Sequence, residues 1–307
     1  MQIIDLVDSV AYTTTNCFAH QLHASLSIKN VRTVPLSEIH SHSKPDAIVC
    51  RLKQRTLCRV IDELSTWAQN APMIIFDQDP WEAYRDGSPY VGTYERTMQK
   101  LNVKSFALTT EYWVKHLISF GIPSTFVNMW VLPEYCNFPQ KYEDRSINVG
   151  FVGGLHPHRK QLFLELEELG IQVNVQTGSS LPYQGYLRAL SNIKVFVHNE
   201  DYRFTVAGYN MSLRDAMWIK DVESASQGCF SVRDWGGGID SYFGDFPVDD
   251  RGRTVLRTYK DTSEIPGILA DIENMNPLVR QDLLDRTVEF IRRSNKWQET
   301  AVRLTTF

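Results

Sequence analysis

The segment Val149-Gly150-Phe151-Val152-Gly153-Gly154 joins a short apolar run to a pair of glycines. The apolar residues predict a buried strand over residues 148–152, and a helical pattern follows over residues 159–169. Glycines between a strand and a helix let backbone N–H groups approach a phosphate closely, and the helix N-terminus favours negative charge. Because the full GxGxxG and Walker spacings are missing, the segment alone predicts only a strand, a turn and a helix.

Strand and helix patterns alternate on both sides of this segment. Apolar runs such as residues 2–7 and 73–76 are separated by helical patterns, the clearest of which covers residues 53–69. This alternation predicts parallel sheets covered by helices. A proline-containing connection over residues 131–147 separates two such runs, which predicts two lobes with a cleft between them. Ligands of such folds bind beyond the carboxyl ends of the strands.

The composition is typical of a globular protein. Of the 307 residues, 43% are hydrophobic and 22% are charged, so a sizeable core can be buried. This excludes collagen-like, disordered and coiled-coil chains. The net charge is −4, so no overall basic field indicates binding to nucleic acid or to an anionic membrane.

The cysteines indicate a reducing compartment. Cys17, Cys50, Cys58, Cys136 and Cys229 are odd in number and widely spaced, without the spacing of a zinc site. No apolar run approaches the roughly 20 residues that span a bilayer, and the N-terminus lacks the features of a signal peptide. We therefore expect a cytoplasmic protein with no transmembrane segment, and association with a membrane surface stays open.

Four stretches in the second half resemble, in their order and spacing, the donor lobe of GT-B glycosyltransferases. The pattern resembles the group-1 subset that includes the CgeB-type proteins. The stretches are residues 149–154 followed by Arg159 and Lys160, residues 222–232, residues 256–261, and the C-terminal helix with Trp297. The likeness covers residues 147–305, whereas the first half matches only in its alternation.

The resemblance implies an α/β fold with two Rossmann-like lobes in the GT-B architecture. An acceptor-side lobe would cover residues 1–140 and a nucleotide-sugar donor lobe residues 141–285, and the helix over 286–307 would cross back onto the first lobe. The implied activity is transfer of a sugar from a nucleotide-diphosphate sugar to a hydroxyl of a saccharide or other acceptor, as in polysaccharide biosynthesis. No metal and no cofactor besides the donor are expected, because positive charges and helix N-termini would stabilise the leaving phosphate.

The resemblance places donor binding in the second half. Glu223 would accept ribose hydroxyls, since a carboxylate accepts two donors at once; the alternative is a glutamate on a helix surface. Many retaining enzymes have a glutamate eight residues earlier, but Asp215 stands there, so retention or inversion stays open. The predicted donor-binding residues are Gly153, Gly154, Arg159, Lys160, Asn210, Arg214, Asp215 and Glu223.

Three residues are candidates for catalysis. Asp77-Gln78-Asp79 ends a predicted strand and matches the D-x-D string with which GT-A enzymes hold a metal, but such strings are common by chance. We interpret Asp77 or Asp79 as a base or contact for the acceptor hydroxyl, with a structural cap as the alternative. His156 would lie near the leaving group, unless it is merely an exposed loop histidine.

Acceptor binding is predicted for two groups of residues in the first half. Thr14 and Asn16 lie in the first strand-to-helix loop, which faces the acceptor in this architecture. Trp81 and Tyr84 follow the carboxylates, and their rings suit the apolar faces of sugars as well as a core wall.

Two other functions fit the same pattern. A nucleotide-sugar epimerase would act on the donor and need no acceptor, and a catalytically silent protein would only bind a nucleotide or glycan. The partners that we expect are a nucleotide sugar and a glycan or other hydroxyl acceptor. Nucleic acid is not predicted as a partner, although DNA as an acceptor stays open. The donor sugar, the base, the acceptor and the oligomeric state are not specified by the sequence.

Overall fold

The computed structural model divides into two compact units of α/β structure. The first consists of Met1–Met129, Arg203–Met211 and Asn295–Phe307, and the second of Trp130–Tyr202 and Ser212–Ser294. The structure describes residues 2–9, 17–136, 140–177, 181–212, 219–236, 243–294 and 296–307, without the side chains of Cys17 and Phe18. Each unit is built on one parallel sheet, so the predicted α/β class with parallel sheets is confirmed.

The sheet of the first unit has six parallel strands. They are β1 (Ile3–Val7), β2 (Arg32–Pro35), β3 (Ala47–Cys50), β4 (Met73–Asp77), β5 (Val103–Leu108) and β6 (Ser124–Phe126), in the order β2-β1-β3-β4-β5-β6. The helices between them are α1 (Cys17–Ile28), α2 (Gln54–Ala68), α3 (Thr93–Lys100) and α4 (Glu111–Ser119). Short 3₁₀ helices cover Leu36–Ser41 and Pro80–Ala83.

Helix α2 buries one apolar face in the first unit. Leu57, Ile61 and Leu64 recur at helical spacing and are buried, together with Trp67. Burying each such side chain contributes about 1.5–3 kcal/mol. The helix begins directly after the end of β3, so its N-terminus lies at the carboxyl edge of the sheet.

The sheet of the second unit has five parallel strands. They are β7 (Ile147–Val152), β8 (Asn174–Gln176), β9 (Ile193–His198), β12 (Phe230–Asp234) and β13 (Leu256–Tyr259), in the order β13-β12-β9-β7-β8. The helices are α5 (Pro157–Glu168), α6 (Tyr183–Ser191), α7 (Ile219–Ser226), α8 (Ile265–Glu273) and α9 (Pro277–Arg293). A side-chain carbon at Gly150 would come within 2.9 Å of Ile193 Cδ1, so glycine permits the close pairing of β7 with β9.

The second unit begins before the predicted boundary at residue 141. Trp130 is buried within this unit, where its Nε1 donates a hydrogen bond to the Ile291 carbonyl at 3.1 Å. Its ring also packs edge-on against Phe246 and Phe290. These contacts explain why the irregular segment after β6 belongs to the second unit.

A two-stranded hairpin, β10 (Arg203–Val206) and β11 (Tyr209–Ser212), follows β9. Ala207 and Gly208 have φ values of +50° and +81°, as tight hairpin turns require. The Asp86 carboxylate accepts hydrogen bonds from both of their backbone N–H groups, at 2.8 and 2.9 Å. These bonds fasten the hairpin to the first unit, although it follows β9 in sequence.

The last helix, α10 (Lys296–Thr305), also belongs to the first unit. The Thr300 hydroxyl donates to the Asn128 carbonyl at 2.8 Å, and the Arg303 guanidinium donates to the Phe126 carbonyl at 2.6 Å. Trp297 is buried. Among the helices that the structure describes, none is both long and apolar enough to cross a membrane.

Candidate active site

The glycine turn of the second unit lies at the carboxyl edge of its sheet. From β7 the chain continues to β8 on one side and later to β9 on the other, so the topological switch point lies between β7 and β9. Gly153 follows β7 with φ +148°, a backbone conformation that residues with side chains rarely adopt, and its N–H donates to the Gln176 carbonyl at 3.0 Å. Helix α5 follows, as the sequence predicted.

Arg159 connects this turn to the segment after β9. Its guanidinium donates to both carboxylate oxygens of Glu200, at 2.7 and 2.8 Å, and to the Gly154 carbonyl at 2.7 Å. Arg159 is only 3% exposed. Burial alone would raise the pKa of Glu200, but Lys220, His198 and Arg159 hold it well below its usual range. Arg159 therefore fixes the shape of the turn through a bidentate ion pair.

A buried charge network continues from Glu200 across the strand ends. The His198 ring contacts Asp221 Oδ1 through Nε2 at 2.7 Å and Glu200 Oε1 through Nδ1 at 3.2 Å. Arg233 donates to the other oxygen of Asp221 at 2.8 Å. Burial opposes the charged form, but Asp221 and Glu200 raise the pKa of His198 above its ordinary value. The sequence did not predict this network, because Glu200 lies 41 residues after Arg159 and Asp221 lies 23 residues after His198, so no local pattern connects them.

Two histidines flank the start of α5. The rings of His156 and His158 are parallel, with centroids 5.8 Å apart. His156 is exposed, and Lys160 on the next turn is exposed as well. Both ring nitrogens of His158 are buried without a hydrogen-bond partner. Burial and then Arg159 lower the pKa of His158 to about 4, so it is neutral at pH 7.

Glu223 is a buried carboxyl on α7. It is 1% exposed, which excludes the alternative of a helix-surface glutamate. Its Oε1 lacks a hydrogen-bond partner. Burial raises the pKa of Glu223 to about 7, although the hydroxyls of Tyr186 and Tyr183 and the charge of Lys220 oppose the shift.

The remaining predicted site residues lie either in the first unit or outside the described residues. Asn210 is exposed on β11 and belongs to the first unit, whereas Gly153, Gly154, Arg159, Lys160 and Glu223 belong to the second. Thr14, Asn16, Arg214 and Asp215 lie outside the described residues.

In the first unit, Asp77 ends β4 and is held by three donors. It accepts hydrogen bonds from the Tyr94 hydroxyl at 2.6 Å, from Gln54 Nε2 at 2.6 Å and from the Asp79 N–H at 2.9 Å. Burial raises the pKa of Asp77 and outweighs these hydrogen bonds, which lower it. Its geometry suits a residue that positions the following turn.

Asp79 is less constrained than Asp77. Its one described side-chain bond is a 3.3 Å contact from Trp81 Nε1. Burial, followed by the charges of Asp77 and Glu82, raises the pKa of Asp79 to about 7. A carboxyl that changes charge near neutral pH is suited to accept a proton. Within the described ranges, no group of three or more His, Cys, Asp or Glu side chains is arranged to hold a metal ion.

The two predicted aromatic contacts differ in their surroundings. Trp81 is half-buried, and its ring lies 5.2 Å from that of Phe204 on β10. Tyr84 stacks on Trp113 at 6.0 Å and meets Tyr94 edge-on at 5.8 Å, and its hydroxyl is buried. Tyr84 thus belongs to an aromatic cluster of the core, whereas Trp81 borders the carboxylates.

A cavity of about 210 Å³ adjoins Asp77 and Asp79. It lies at the carboxyl ends of β3 and β4 and at the first turn of α2. Its lining residues are Arg51, Leu52, Lys53, Gln54, Arg55, Phe76, Asp77, Gln78, Asp79 and Glu82. Neither Gln54 nor Glu82 forms part of a recognisable sequence motif, so the sequence alone did not indicate them.

No protein-family model matches the chain, and no curated protein matches its sequence significantly. Solved structures share its fold. An alpha,alpha-trehalose-phosphate synthase (UDP-forming) from Burkholderia vietnamiensis is 11% identical over 93% of this chain and 76% of its own, with a TM-score of 0.54. An E. coli structure described as trehalose-6-phosphate bound with UDP-2-fluoro glucose is 11% identical over 92% and 76%, with a TM-score of 0.56.

The N-terminal domain of Candida albicans trehalose-6-phosphate phosphatase is also similar. It is 10% identical over 98% of this chain and 95% of its own, with a TM-score of 0.63. At these identities the likeness concerns the fold alone. The predicted resemblance to GT-B proteins is confirmed at that level, and the CgeB-type subset stays a prediction.

Proposed function

We propose that the protein is a glycosyltransferase that moves a sugar from a nucleotide-diphosphate sugar to a hydroxyl of a saccharide or other acceptor. The proposal rests above all on the Gly153-Gly154 turn at the switch point of a parallel sheet, directly before α5. The Gly153 N–H is engaged by the Gln176 carbonyl, so the other backbone N–H groups of the turn and the N-terminus of α5 would contact an anionic ligand. The GT-B-like fold supports the same conclusion.

In this proposal the second unit binds the donor. The glycine turn and the start of α5 contact the diphosphate, with positive charge from Lys160 and Lys220. Arg159 acts on the donor indirectly, because its guanidinium is engaged by Glu200 and the Gly154 carbonyl. The unpartnered Oε1 of Glu223 accepts a ribose hydroxyl.

The first unit supplies the base if the reaction inverts the anomeric centre. The acceptor oxygen bonds to the anomeric carbon, the bond from that carbon to the phosphate oxygen breaks, and Asp79 takes the hydroxyl proton. Asp77 holds the backbone of Asp79 in place through the 2.9 Å hydrogen bond. If the reaction retains configuration, the leaving phosphate accepts the proton instead. Neither route uses a metal in this proposal.

One observation favours a second candidate, a catalytically silent nucleotide- or glycan-binding protein. The arginine that the sequence assigned to the diphosphate is buried and already paired with Glu200. Stabilisation of a leaving phosphate then depends on lysines, which make point contacts rather than forked ones.

Nucleotide release from a panel of UDP-, GDP-, CDP- and ADP-sugars, with and without EDTA, tests the proposal. Slow release without acceptor supports a transferase, because water substitutes poorly for the acceptor. Loss of release in EDTA would overturn the metal-independent route. Thermal stabilisation by nucleotides without release on any acceptor identifies the silent binding protein, and conversion of the donor sugar without release identifies an epimerase. A protein that neither binds nor turns over any of these compounds contradicts all three.

A further inference from the structure

An apolar groove lies along one edge of the sheet of the second unit. Strand β8 stands at the end of the strand order β13-β12-β9-β7-β8 and pairs with β7. Between β8 and helix α5 the groove has a volume of about 830 Å³, and most of its lining side chains are apolar. They include Ile147, Val149, Phe163, Leu164, Val173 and Val175. Leu164 is 55% exposed and Val175 is 37% exposed. A contiguous apolar surface of this size on a globular protein indicates an interaction site.

The backbone of β8 offers a donor and an acceptor at the same edge. The Gln176 carbonyl accepts a hydrogen bond from the Gly153 N–H, so it points towards the β7 side. Because the N–H and C=O groups of successive strand residues point to opposite sides, those of Val175 point away from β7. Among the strands that the structure describes, none pairs with that side of β8. An open edge of this kind is a template for the addition of another strand.

Helix α5 carries opposite charges at the two ends of the groove. Lys160 lies four residues before Leu164, Glu167 lies three residues after it, and all three line the groove. Lys160 and Glu167 are exposed, and neither is in an ion pair with another described residue. A second α5 that runs antiparallel beside the first would place each lysine near the glutamate of the other helix. The surface is therefore complementary in charge to a second copy of itself.

We propose that two copies of this chain associate through the β8 edge and the exposed face of α5, about a two-fold axis beside Val175. The two Val175 residues then form an antiparallel pair that exchanges two N–H···O=C hydrogen bonds, and the two sheets become continuous. The Leu164 side chains are buried at the centre, and Lys160 of each copy faces Glu167 of the other. Because one strand pair supplies only two hydrogen bonds, burial of the apolar groove provides most of the stabilisation.

Sedimentation of the unaltered protein over a range of concentrations, without any ligand, tests the interface. We expect a dimer at micromolar concentrations. Leu164→Arg would bury an unpaired charge at the centre and should raise the dissociation constant at least about a hundredfold. Ile118→Arg introduces the same side chain on α4, at a position that is also 55% exposed, and should leave the dissociation constant unchanged.

Circular dichroism verifies that both variants are folded, which we expect because both positions are exposed. A protein that stays monomeric at every concentration overturns the proposal. A folded Leu164→Arg protein that dimerises as strongly as Ile118→Arg overturns it as well.

Charge reversal tests the two-fold arrangement. Glu167→Lys and Lys160→Glu should each weaken self-association at least about tenfold, because like charges then face each other at both ends of the interface. Mixing the two variants should restore association, since the lysines of one variant face the glutamates of the other. Sedimentation alone is measured, so the donor contact proposed above for Lys160 does not affect the result. A mixture that associates no better than the single variants overturns this arrangement.

Amide hydrogen exchange at Val175 tests the pairing of the two β8 strands. The Val175 N–H of the unaltered protein should exchange more slowly as the concentration rises, whereas in Leu164→Arg its rate should stay constant. A rate that does not depend on concentration in a protein that dimerises overturns the strand pairing. None of these measurements involves nucleotide or sugar, so their results do not depend on whether the protein is a transferase.

Discussion

The carboxyl edges of the two sheets carry similar residues but pair them differently. In the second unit, His198, Glu200, Asp221, Arg159 and Arg233 form a buried network in which opposite charges meet at 2.7–3.2 Å. At the edge of the first unit the carboxyls of Asp77, Asp79 and Glu82 all have raised pKa values. Buried ion pairs fix the positions of their side chains, whereas carboxyls with perturbed pKa values are common in ligand-binding and catalytic sites.

The largest expected effect comes from breaking the network. Arg159→Ala leaves Glu200 buried without its bidentate partner, which should lower the free energy of unfolding by about 3–5 kcal/mol in denaturant titrations. Lys160→Ala, one residue later on an exposed position, should change it by less than about 0.5 kcal/mol.

A double variant sharpens this result. Glu200→Gln removes the charge that Arg159→Ala leaves unpaired, so the double variant should be less destabilised than the sum of the single ones. Equal stability of Arg159→Ala and Lys160→Ala would show that the ion pair does not hold the glycine turn.

The carboxyl edge of the first unit's sheet predicts that the free energy of unfolding depends on pH. The pKa of Asp79 rises from 3.8 to about 7 on folding, so the folded state keeps a proton that the unfolded state releases. The free energy of unfolding therefore falls as pH rises from about 4 to about 7. Asp79→Asn should reduce this fall by about 2 kcal/mol, a figure below the full shift because the group is partly exposed.

The measurement is denaturant unfolding at pH 5 and pH 8, with Asp62→Asn on the exposed face of α2 as the control. The control should show the same fall as the unaltered protein. If Asp79→Asn shows it too, Asp79 ionises normally and is no better suited than an exposed carboxylate to act as a base.

Glu223 lies in the same unit as the buried network but differs from Glu200 and Asp221. Burial raises the pKa of Glu223, whereas nearby cations lower the pKa values of the other two carboxyls. If its Oε1 accepts a ribose hydroxyl, Glu223→Ala should weaken nucleotide binding about tenfold in calorimetric titrations. Glu168→Ala, at the exposed end of α5, should leave the affinity unchanged. A folded Glu223→Ala protein with unaltered affinity would remove Glu223 from the donor site.

Features that depend on neighbouring residues could be predicted from the sequence, whereas contacts between distant residues could not. The strands and α2 follow from local periodicity, and so does the turn at Gly153-Gly154, because each depends on neighbouring residues alone. The pairing of Arg159 with Glu200 joins residues 41 positions apart, so the sequence showed the cation without its partner. The hydrogen bonds from Gln54 Nε2 to Asp77 Oδ2 and to the Asp79 carbonyl likewise depend on positions that only the folded chain brings together.

The hairpin was missed for a related reason and offers the smallest expected effect. Its turn lacks an Asn-Gly or Asp-Gly pair, and the stabilising carboxylate comes from Asp86, far away in sequence. Asp86→Ala should speed amide hydrogen exchange at Ala207 and Gly208 while global unfolding changes little, since the side chain is exposed. Asp250→Ala, at another exposed aspartate, should leave both amides protected as before. Unchanged exchange in Asp86→Ala would mean that the turn holds its shape without the carboxylate, and the packing of Phe204 against Trp81 would then be what keeps the hairpin on the first unit.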